Sequence, residues 1–169
     1  MYSKLQFTIT QMAVSDVDGE FKDFSAVVTL EKSDFYDAQF KLTANSASVN
    51  TGIHARDNHL KSAEFFDIAN FTTLAFTSSS ITKTTNNHYK LAGNLTLHGV
   101  TKAVVMDLRY RGTITNPMSK ADDAGFQLSG TIKRSDFGFV SKYGSPMLSD
   151  EKAIRANCEF AKAKLLLHG

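Results

Sequence analysis

The 169 residues, of which 42% are hydrophobic, suffice for one ordinary domain with a substantial core. The content of only two Pro and ten Gly argues against a disordered or collagen-like chain. The net charge of +2 provides no strong electrostatic attraction to nucleic acid or to an anionic membrane. No apolar run approaches the ~20 residues of a membrane helix, and the single cysteine, Cys158, excludes an internal disulfide.

Most of the chain alternates apolar with polar residues, which is typical of β-strands with one buried face. The first such segment, residues 5–10, has its apolar side chains on the odd positions, and Asp16 to Gly19 supply turn residues after it. In chain order the predicted strands span residues 5–10, 21–31, 38–43 with an extension towards Val49, 74–81, 89–97, 103–111, 126–132 and 153–164. No repeat, low-complexity tract or linker interrupts them, which predicts a single domain over residues 1–169.

Residues 56–67 depart from this alternation. Leu60, Ala63 and Phe66 recur every three positions, which predicts a short helix or two helical turns. We expect Ser62 to cap the second turn and Glu64 to lie near its partly positive start. The segment is therefore predicted to be a helical insert among strands.

About eight strands with short connections predict an all-β fold, either a sandwich or an up-and-down barrel. An outer-membrane barrel shares the alternation but turns its apolar face outward. The chain contains no Trp, and no aromatic girdle is evident at the strand ends, which disfavours that alternative.

Several residues invite a chemical role, but none has the spacing of a known catalytic motif. His54, Asp57 and His59 lie close together without the His-Glu-x-x-His spacing of a zinc helix, so solvent-facing polarity is the favoured interpretation and no metal site is predicted. His98 precedes Gly99 and is interpreted as a turn residue rather than a general base. No phosphate loop, dinucleotide fingerprint or nucleophile elbow is present, which argues against an enzyme.

The neighbouring Arg56 and Asp57 are expected to anchor the insert to strand ends, with Arg56 at a pocket mouth as the alternative. Phe137 and Phe139 are predicted to plug one end of a barrel. Cys158 is predicted to be a small core residue on the last strand.

Three runs of residues are similar to a known family: Arg-Asp-x-His-Leu-Lys-Ser-x-Glu-Phe-Phe-Asp at 56–67, Gly-x-Leu-Thr-Leu-His-Gly-Val-Thr-Lys at 93–102, and Lys-Arg-Ser-Asp-Phe-Gly at 133–138. Together they closely resemble the YceI-like family of polyisoprenoid-binding proteins. The resemblance implies an eight-stranded antiparallel, lipocalin-like barrel with a helical insert. It also implies an apolar channel that holds an isoprenoid lipid, such as a prenylquinone or a prenyl phosphate, with no cofactor required.

Under this resemblance the apolar phase of the strands, together with the paired phenylalanines of the insert, is expected to line the channel. The predicted lining residues are Phe7, Ile9, Phe40, Leu42, Phe65, Phe66, Phe76, Leu95, Leu97, Leu128 and Ile132. The predicted polar residues of the mouth are Arg56, His59 and Arg134. Family members are often exported to the periplasm and paired as homodimers, and lipid exchange implies transient contact with a membrane. No secretory signal peptide is evident within these residues, so we expect a periplasmic location with the cytoplasm as the alternative.

Two other functions share the same pattern. One is an enzyme that acts on a lipid or quinone through His98 or the Asp57 and His59 neighbourhood. The other is a barrel filled by its own side chains that serves as an interaction scaffold, because eight-stranded barrels enclose either side chains or one small ligand. A channel wide enough for a polymethylene chain distinguishes a lipid carrier from the scaffold.

Overall fold

The alternating segments form an antiparallel sheet of ten strands, and the computed structural model describes residues 3–11, 15–29, 36–138 and 148–161. The strands are β1 (Lys4–Gln11), β2 (Ser15–Phe21), β3 (Phe24–Thr29), β4 (Gln39–Asn45), β5 (Val49–Asn50), β6 (Thr73–Thr85), β7 (His88–Leu97), β8 (Val100–Thr115), β9 (Asp122–Lys133) and β10 (Leu148–Ala161). One α-helix, α1 (His54–Lys61), and two 3₁₀ turns, Ser46–Ser48 and Arg134–Phe137, interrupt them. Across the described parts of the chain, no helix has the length and apolar character to cross a membrane.

The sheet curls into a barrel. Its strands pair in the order β3-β4-β6-β7-β8-β9-β10-β1-β2-β5. Phe21 of β2 pairs with Leu5 of β1 on one side and with Val49 of β5 on the other. The two ends of this order are β3 and β5. The chain runs from β2 into β3 and from β4 into β5, and β3 pairs with β4 while β2 pairs with β5, so the two ends of the sheet lie close together. The prediction of an antiparallel barrel with a short helical insert is confirmed.

The predicted count of eight strands is wrong by two, because two of the predicted strands are interrupted. The second starts at Ser15 rather than at Phe21 and is broken at Lys22 and Asp23, which separates β2 from β3. The extended third strand is broken by the first 3₁₀ turn, where the Asn45 side chain accepts a hydrogen bond from the Ala47 amide at 3.0 Å. Local polar capping therefore accompanies the second break, whereas at the first break the Lys22 amide donates to the Ser48 carbonyl oxygen at 3.1 Å.

The predicted turn at Asp16 to Gly19 is wrong, because these residues lie inside β2. The Thr8 and Thr10 hydroxyls on β1 donate to the carboxylates of Asp18 and Asp16 at 2.7 and 2.8 Å, so both aspartates serve as cross-strand partners. Gly19 lies under the Phe7 ring, where a Cβ atom would overlap the ring. The glycine therefore serves close packing within a strand.

Aromatic rings close one end of the barrel interior. Phe40 packs against Phe126 and Phe160 with ring centroids 5.4 and 6.2 Å apart, and all three are buried. Cys158 lies buried on the last strand, which confirms its prediction as a core residue. Phe137 is confirmed as a core residue near the opposite end. Three predicted positions, Phe139 and the strand ends at residues 31 and 164, lie outside the described residues.

The insert covers the other end of the barrel, where β7 and β9 finish and β6 and β10 start. After α1 the chain turns back, with the Phe66 amide donating to the Leu60 carbonyl oxygen at 2.9 Å. The prediction that Ser62 caps a second helical turn is wrong. Ser62 follows the last helical residue, and its hydroxyl donates to the His59 carbonyl oxygen at 2.6 Å, so it ends the helix instead.

Candidate functional site

A cavity of about 410 Å³ lies between the aromatic closure and the insert. This volume falls within the range of roughly 300–1,000 Å³ that is usual for small-molecule sites. The lining is predominantly apolar. Its apolar residues are Leu5, Phe7, Ile9, Val17, Phe21, Phe24, Leu42, Ala44, Leu60, Phe65, Phe66, Leu74, Phe76, Leu95, Leu97, Val104, Met106, Leu128, Ile132, Ile154 and Ala156.

Strand pairing brings these residues onto one wall. In the antiparallel sheet, directly opposed residues place their side chains on the same face. Phe7 of β1 is opposite Ile154 of β10, while Ala156 is opposite both Leu5 and Leu128. The apolar phase of the strands therefore faces the interior, as the family resemblance implied.

Ten of the eleven residues predicted to line a channel do line this cavity. They are Phe7, Ile9, Leu42, Phe65, Phe66, Phe76, Leu95, Leu97, Leu128 and Ile132. The prediction for Phe40 is corrected, because its ring belongs to the aromatic closure with Phe126 and Phe160 and lies outside the cavity lining. The role of the ten lining residues in binding stays a prediction.

Arg56 lies at the cavity and also anchors the insert, so both interpretations of this residue apply. Its Nε donates to the Thr51 hydroxyl at 2.7 Å and its Nη2 to the Thr51 carbonyl oxygen at 2.8 Å. Asp57 accepts from the Thr51 amide and hydroxyl at 2.8 and 2.5 Å. Burial alone would raise the pKa of Asp57, but the Thr51 hydrogen bonds and the charges of Arg56 and Lys61 lower it below its ordinary value.

His59 lines the cavity from the helix but keeps half of its side chain exposed. Its Nε2 lies 2.8 Å from a Glu64 carboxylate oxygen, and its ring packs edge-on against Phe65 with centroids 4.9 Å apart. Both contacts lie within the insert. His59 therefore stabilises the local turn at the edge of the cavity.

Arg134 lies at the start of the second 3₁₀ turn, and its side chain is only 13% exposed. Its Nε is 3.9 Å from Oδ1 of Asp150. Asp150 accepts hydrogen bonds from the Ser135 hydroxyl and amide at 2.7 and 2.9 Å. These hydrogen bonds, assisted by the charges of Arg134 and Lys133, lower the pKa of Asp150.

Lys152 also lines the cavity and was not predicted from the sequence, whereas Arg155 borders the cavity from an exposed position of the opposite phase on β10. Lys152 lies two residues before Ile154 and four before Ala156, so it shares their inward phase on β10. Burial and the charge of Arg134 lower the pKa of Lys152 to about 8 despite the opposing attraction of Asp150. A lysine in the apolar phase of a strand was the signal that could have revealed it.

The chemistry-bearing residues of the sequence are dispersed. Among the described residues, no group of three or more His, Cys, Asp or Glu side chains could hold a metal ion. His98 lies outside the cavity lining, in the β7–β8 turn, with its Nδ1 3.2 Å from the Phe137 carbonyl oxygen. Burial raises the pKa of the Cys158 thiol to about 12, which suppresses the thiolate at neutral pH.

The three motif runs meet at the insert end of the barrel. The ring of Phe71, just after the first run, packs against His98 of the second with centroids 4.8 Å apart. His98 in turn contacts the Phe137 carbonyl of the third run. Gly99 has φ +70°, and a Cβ atom there would overlap the Phe71 ring. The three runs therefore shape the end of the barrel that carries the cavity mouth.

A sequence profile described as the YceI-like domain matches residues 1–160. The chain belongs to the YceI-like family. The UPF0312 protein SA2479 of Staphylococcus aureus (strain N315) is 33% identical to this YceI-like chain over 164 residues, which cover 95% of this chain and 93% of that protein. A second relative, UPF0312 protein SAS2572 of S. aureus (strain MSSA476), is 32% identical with the same coverage.

Solved structures of similar proteins share the barrel. The YceI protein of Campylobacter jejuni is 34% identical, with a TM-score of 0.79 over 88% of this YceI-like chain and 86% of that chain. BcnA of Burkholderia cenocepacia, at 22% identity, shares the fold with a TM-score of 0.82 over 94% and 96% of the two chains. A polyisoprenoid-binding domain of Saccharophagus degradans, at 15% identity, shares it with a TM-score of 0.71 over 94% and 93%.

Proposed function

We propose that this YceI-like protein binds a long-chain isoprenoid lipid, of the prenylquinone or polyprenyl phosphate type, without chemical conversion. The observation that carries the proposal is the apolar cavity between the aromatic closure and the insert. A barrel filled by its own side chains, the scaffold alternative, would have no such space. Membership of a family whose fold also occurs in a polyisoprenoid-binding domain adds support.

The apolar lining suits a branched hydrocarbon tail. Each methylene-sized group that leaves water contributes about 0.8 kcal/mol, so a tail of several isoprene units provides ample driving force from water. A bilayer solvates the same tail equally well, and net transfer from a membrane into the cavity is therefore nearly balanced. Near-balanced transfer suits reversible loading and release, and we propose a carrier that exchanges lipid with a membrane rather than a permanent store.

Because the tail contributes little net preference over a bilayer, selectivity must come from cavity shape and from the residues at its mouth. We propose that Arg56, His59 and Arg134 contact the polar head while the ten lining residues contact the tail. Arg56 is oriented for this by its two hydrogen bonds to Thr51. The fork of an arginine is suited to phosphate and carbonyl oxygens alike.

Native mass spectrometry of the protein, purified under mild conditions without added ligand, tests the proposal. We expect a population heavier than the bare chain by the mass of a lipid, and organic extraction should release an isoprenoid compound. A matched sample stripped of lipid should take up a prenylquinone or a prenyl diphosphate from detergent micelles. Protein that stays empty through repeated preparations and takes up neither lipid would contradict the proposal.

A further inference from the structure

The cavity has a floor at its closed end, and the strands that line the cavity also build this floor. Leu42 of β4 and Leu128 of β9 line the cavity. Two residues further towards the closed end, the next inward positions of these strands are Phe40 and Phe126, which are 1 and 2% exposed and lie outside the cavity lining. Because side chains on one face of a strand recur every two residues, the cavity wall changes into a packed floor within one step along each strand.

Three phenylalanine rings make this floor continuous. The ring centroids of Phe40 and Phe126 are 5.4 Å apart, those of Phe126 and Phe160 are 5.8 Å apart, and those of Phe40 and Phe160 are 6.2 Å apart. The interplanar angles of 79°, 61° and 71° make all three contacts edge-on. Such separations are typical of rings in direct contact. A hydrocarbon chain therefore cannot pass this aromatic closure without displacing a ring.

The distance from the aromatic closure to the insert limits the depth of the cavity. The lining extends from Leu128 to Ile132 along β9 and from Leu5 to Ile9 along β1. Four steps of about 3.3 Å give about 13 Å along a strand, and a tilt of about 40° reduces this to about 10 Å along the barrel axis. An extended isoprene unit adds four chain carbons and about 5 Å of length, since each carbon–carbon bond is about 1.5 Å long. About two to three extended units therefore fill this depth, and a further unit next to the head group lies in the mouth.

A tail that is longer than the cavity must leave its surplus carbons outside the mouth. A carbon inside the cavity exchanges one apolar surrounding for another, whereas a surplus carbon exchanges the bilayer for water. Each methylene-sized group that is moved into water lowers the affinity about fourfold. Exposure of only two of the five carbons of one surplus unit therefore lowers the affinity by more than about tenfold. The near balance between bilayer and cavity holds only for tails that the cavity can enclose.

We propose that the aromatic closure of Phe40, Phe126 and Phe160 determines the tail length that the cavity accepts, at about three to four isoprene units. The inference rests on the proposed function and names the length class of its ligand. The limit acts on the far end of the tail, so it applies to a neutral head and to a charged head alike.

Competition among four prenyl alcohols tests the length limit, because they share one neutral head and differ only in the tail. Farnesol, geranylgeraniol, geranylfarnesol and solanesol have three, four, five and nine isoprene units. Lipid-stripped protein is mixed with detergent micelles that contain equal amounts of the four, the micelles are removed by gel filtration, and native mass spectrometry measures the occupancy by each. We expect farnesol and geranylgeraniol each to exceed solanesol by at least about tenfold.

Two substitutions should move the length limit in opposite directions. Phe40→Ala removes a ring of six carbons from the floor, which is about the size of one isoprene unit. It should raise the occupancy by geranylfarnesol relative to geranylgeraniol by about tenfold. Ala156→Leu adds three carbons to the cavity wall and should raise the occupancy by farnesol relative to geranylgeraniol by about tenfold.

Each substitution has a matched control elsewhere in the barrel. Phe137→Ala removes a ring that is also 1% exposed but belongs neither to the cavity lining nor to the aromatic closure. Ala153→Leu adds the same three carbons to β10 on its exposed, outward face. Both controls should leave the occupancy ratios of the unmodified protein unchanged.

Occupancy that does not depend on tail length, or an equal shift in Phe40→Ala and Phe137→Ala, would overturn the length limit while lipid binding stands. Failure of all four alcohols to bind would instead overturn the proposed function. Thermal unfolding shows whether each variant is folded. Should Phe40→Ala not fold, Phe40→Leu removes less of the ring volume and should shift the ratio in the same direction by a smaller factor.

Discussion

The ring of Phe66 packs edge-on against the ring of Phe21, with 5.3 Å between their centroids. Phe66 belongs to the insert and Phe21 to β2, so this contact joins the covering segment to the barrel wall. Phe66 also meets Phe7 at 6.4 Å, and all three rings line the cavity. The insert is therefore part of the cavity wall rather than a separate attachment.

Replacing Phe66 tests that relationship. We expect Phe66→Ala to lower the free energy of unfolding by about 2 kcal/mol, less than for a fully buried ring because Phe66 keeps part of its surface exposed. Phe65→Ala is the control from the same turn and should cost less, since the edge-on partner of Phe65 is the half-exposed His59. Urea unfolding measures the free energy of unfolding of both variants. An equal decrease in the two would contradict the conclusion that Phe66 joins the insert to the barrel wall.

Gly99 should tolerate no side chain. Gly99→Ala meets both an unfavourable positive φ and the Phe71 ring, whereas Gly52→Ala meets only the positive φ, because a Cβ atom at Gly52 has no heavy atom within 4 Å. The left-handed conformation costs roughly 1–2 kcal/mol for a residue other than glycine, so Gly52→Ala should lose about that much stability. Gly99→Ala should lose more, and in a Phe71→Ala background its added cost should fall to about that of Gly52→Ala. An equal cost of Gly99→Ala with and without the Phe71 ring, measured by urea unfolding, would contradict the packing argument.

We expect acid to weaken the hydrogen bonds from Thr51 to the Asp57 carboxylate, which hold the insert in place. The pKa of this carboxyl lies below its ordinary value of 3.8 in the folded protein, so its contribution to stability is complete above about pH 4. The contribution is lost as pH falls through the lower, folded-state pKa. We expect Asp57→Asn to be less stable than the unmodified protein at neutral pH and to approach it in acid. A stability difference that does not change with pH would show that the Thr51 contacts do not depend on the charge.

Diphosphate binding should weaken in alkaline solution. The pKa of Lys152 is about 8, so its ammonium loses its proton as pH rises through that value and the attraction for an anion falls. The other charged groups facing it are Arg134 and Asp150, with Arg56 and His59 on the helix side of the cavity. Affinity for geranylgeranyl diphosphate should therefore drop between about pH 7 and about pH 9.5, and Lys152→Met should flatten this decline. An equal decline in that variant would show that the charge of Lys152 does not contribute to prenyl diphosphate binding.

Filling the cavity should displace the lipid. Ala156 lines the cavity between Leu5 and Leu128, whereas Ala153 on the same strand faces outward and is exposed. We expect Ala156→Phe to reduce the co-purified lipid and the uptake of added prenyl compounds, and Ala153→Phe to leave both unchanged. Circular dichroism checks that each variant keeps its sheet. Full uptake by a folded Ala156→Phe would place the lipid elsewhere.

Alternation was sufficient to predict the strands, and together with the family resemblance, which implied a barrel with an apolar interior, it predicted most of the cavity wall. Alternation and residue type gave wrong predictions where a residue common in turns can also serve inside a strand. Asp16 and Gly19 carry turn chemistry in general, yet here they serve a cross-strand hydrogen bond and a close ring contact. Phe40 has the correct phase, but phase does not reveal height along the barrel, and its ring lies in the closed end.

The polar part of the site was harder to predict for a different reason. Arg56, His59 and Arg134 were found through the motif runs, whereas Lys152 lies outside every run and was overlooked. Its position in phase with Ile154 and Ala156 was visible in the sequence. The pairing register that places it between Ile9 and Ile132 was not visible, because register depends on contacts between distant segments.

A crystal structure of the protein purified without added ligand would show whether the cavity holds a lipid. We expect continuous, elongated electron density inside the cavity, flanked by Phe66 at the insert and Phe76 on the wall, with its polar end beside Arg56 and Arg134. A cavity that is empty or holds only water, in protein that also takes up no prenyl compound on soaking, would contradict it.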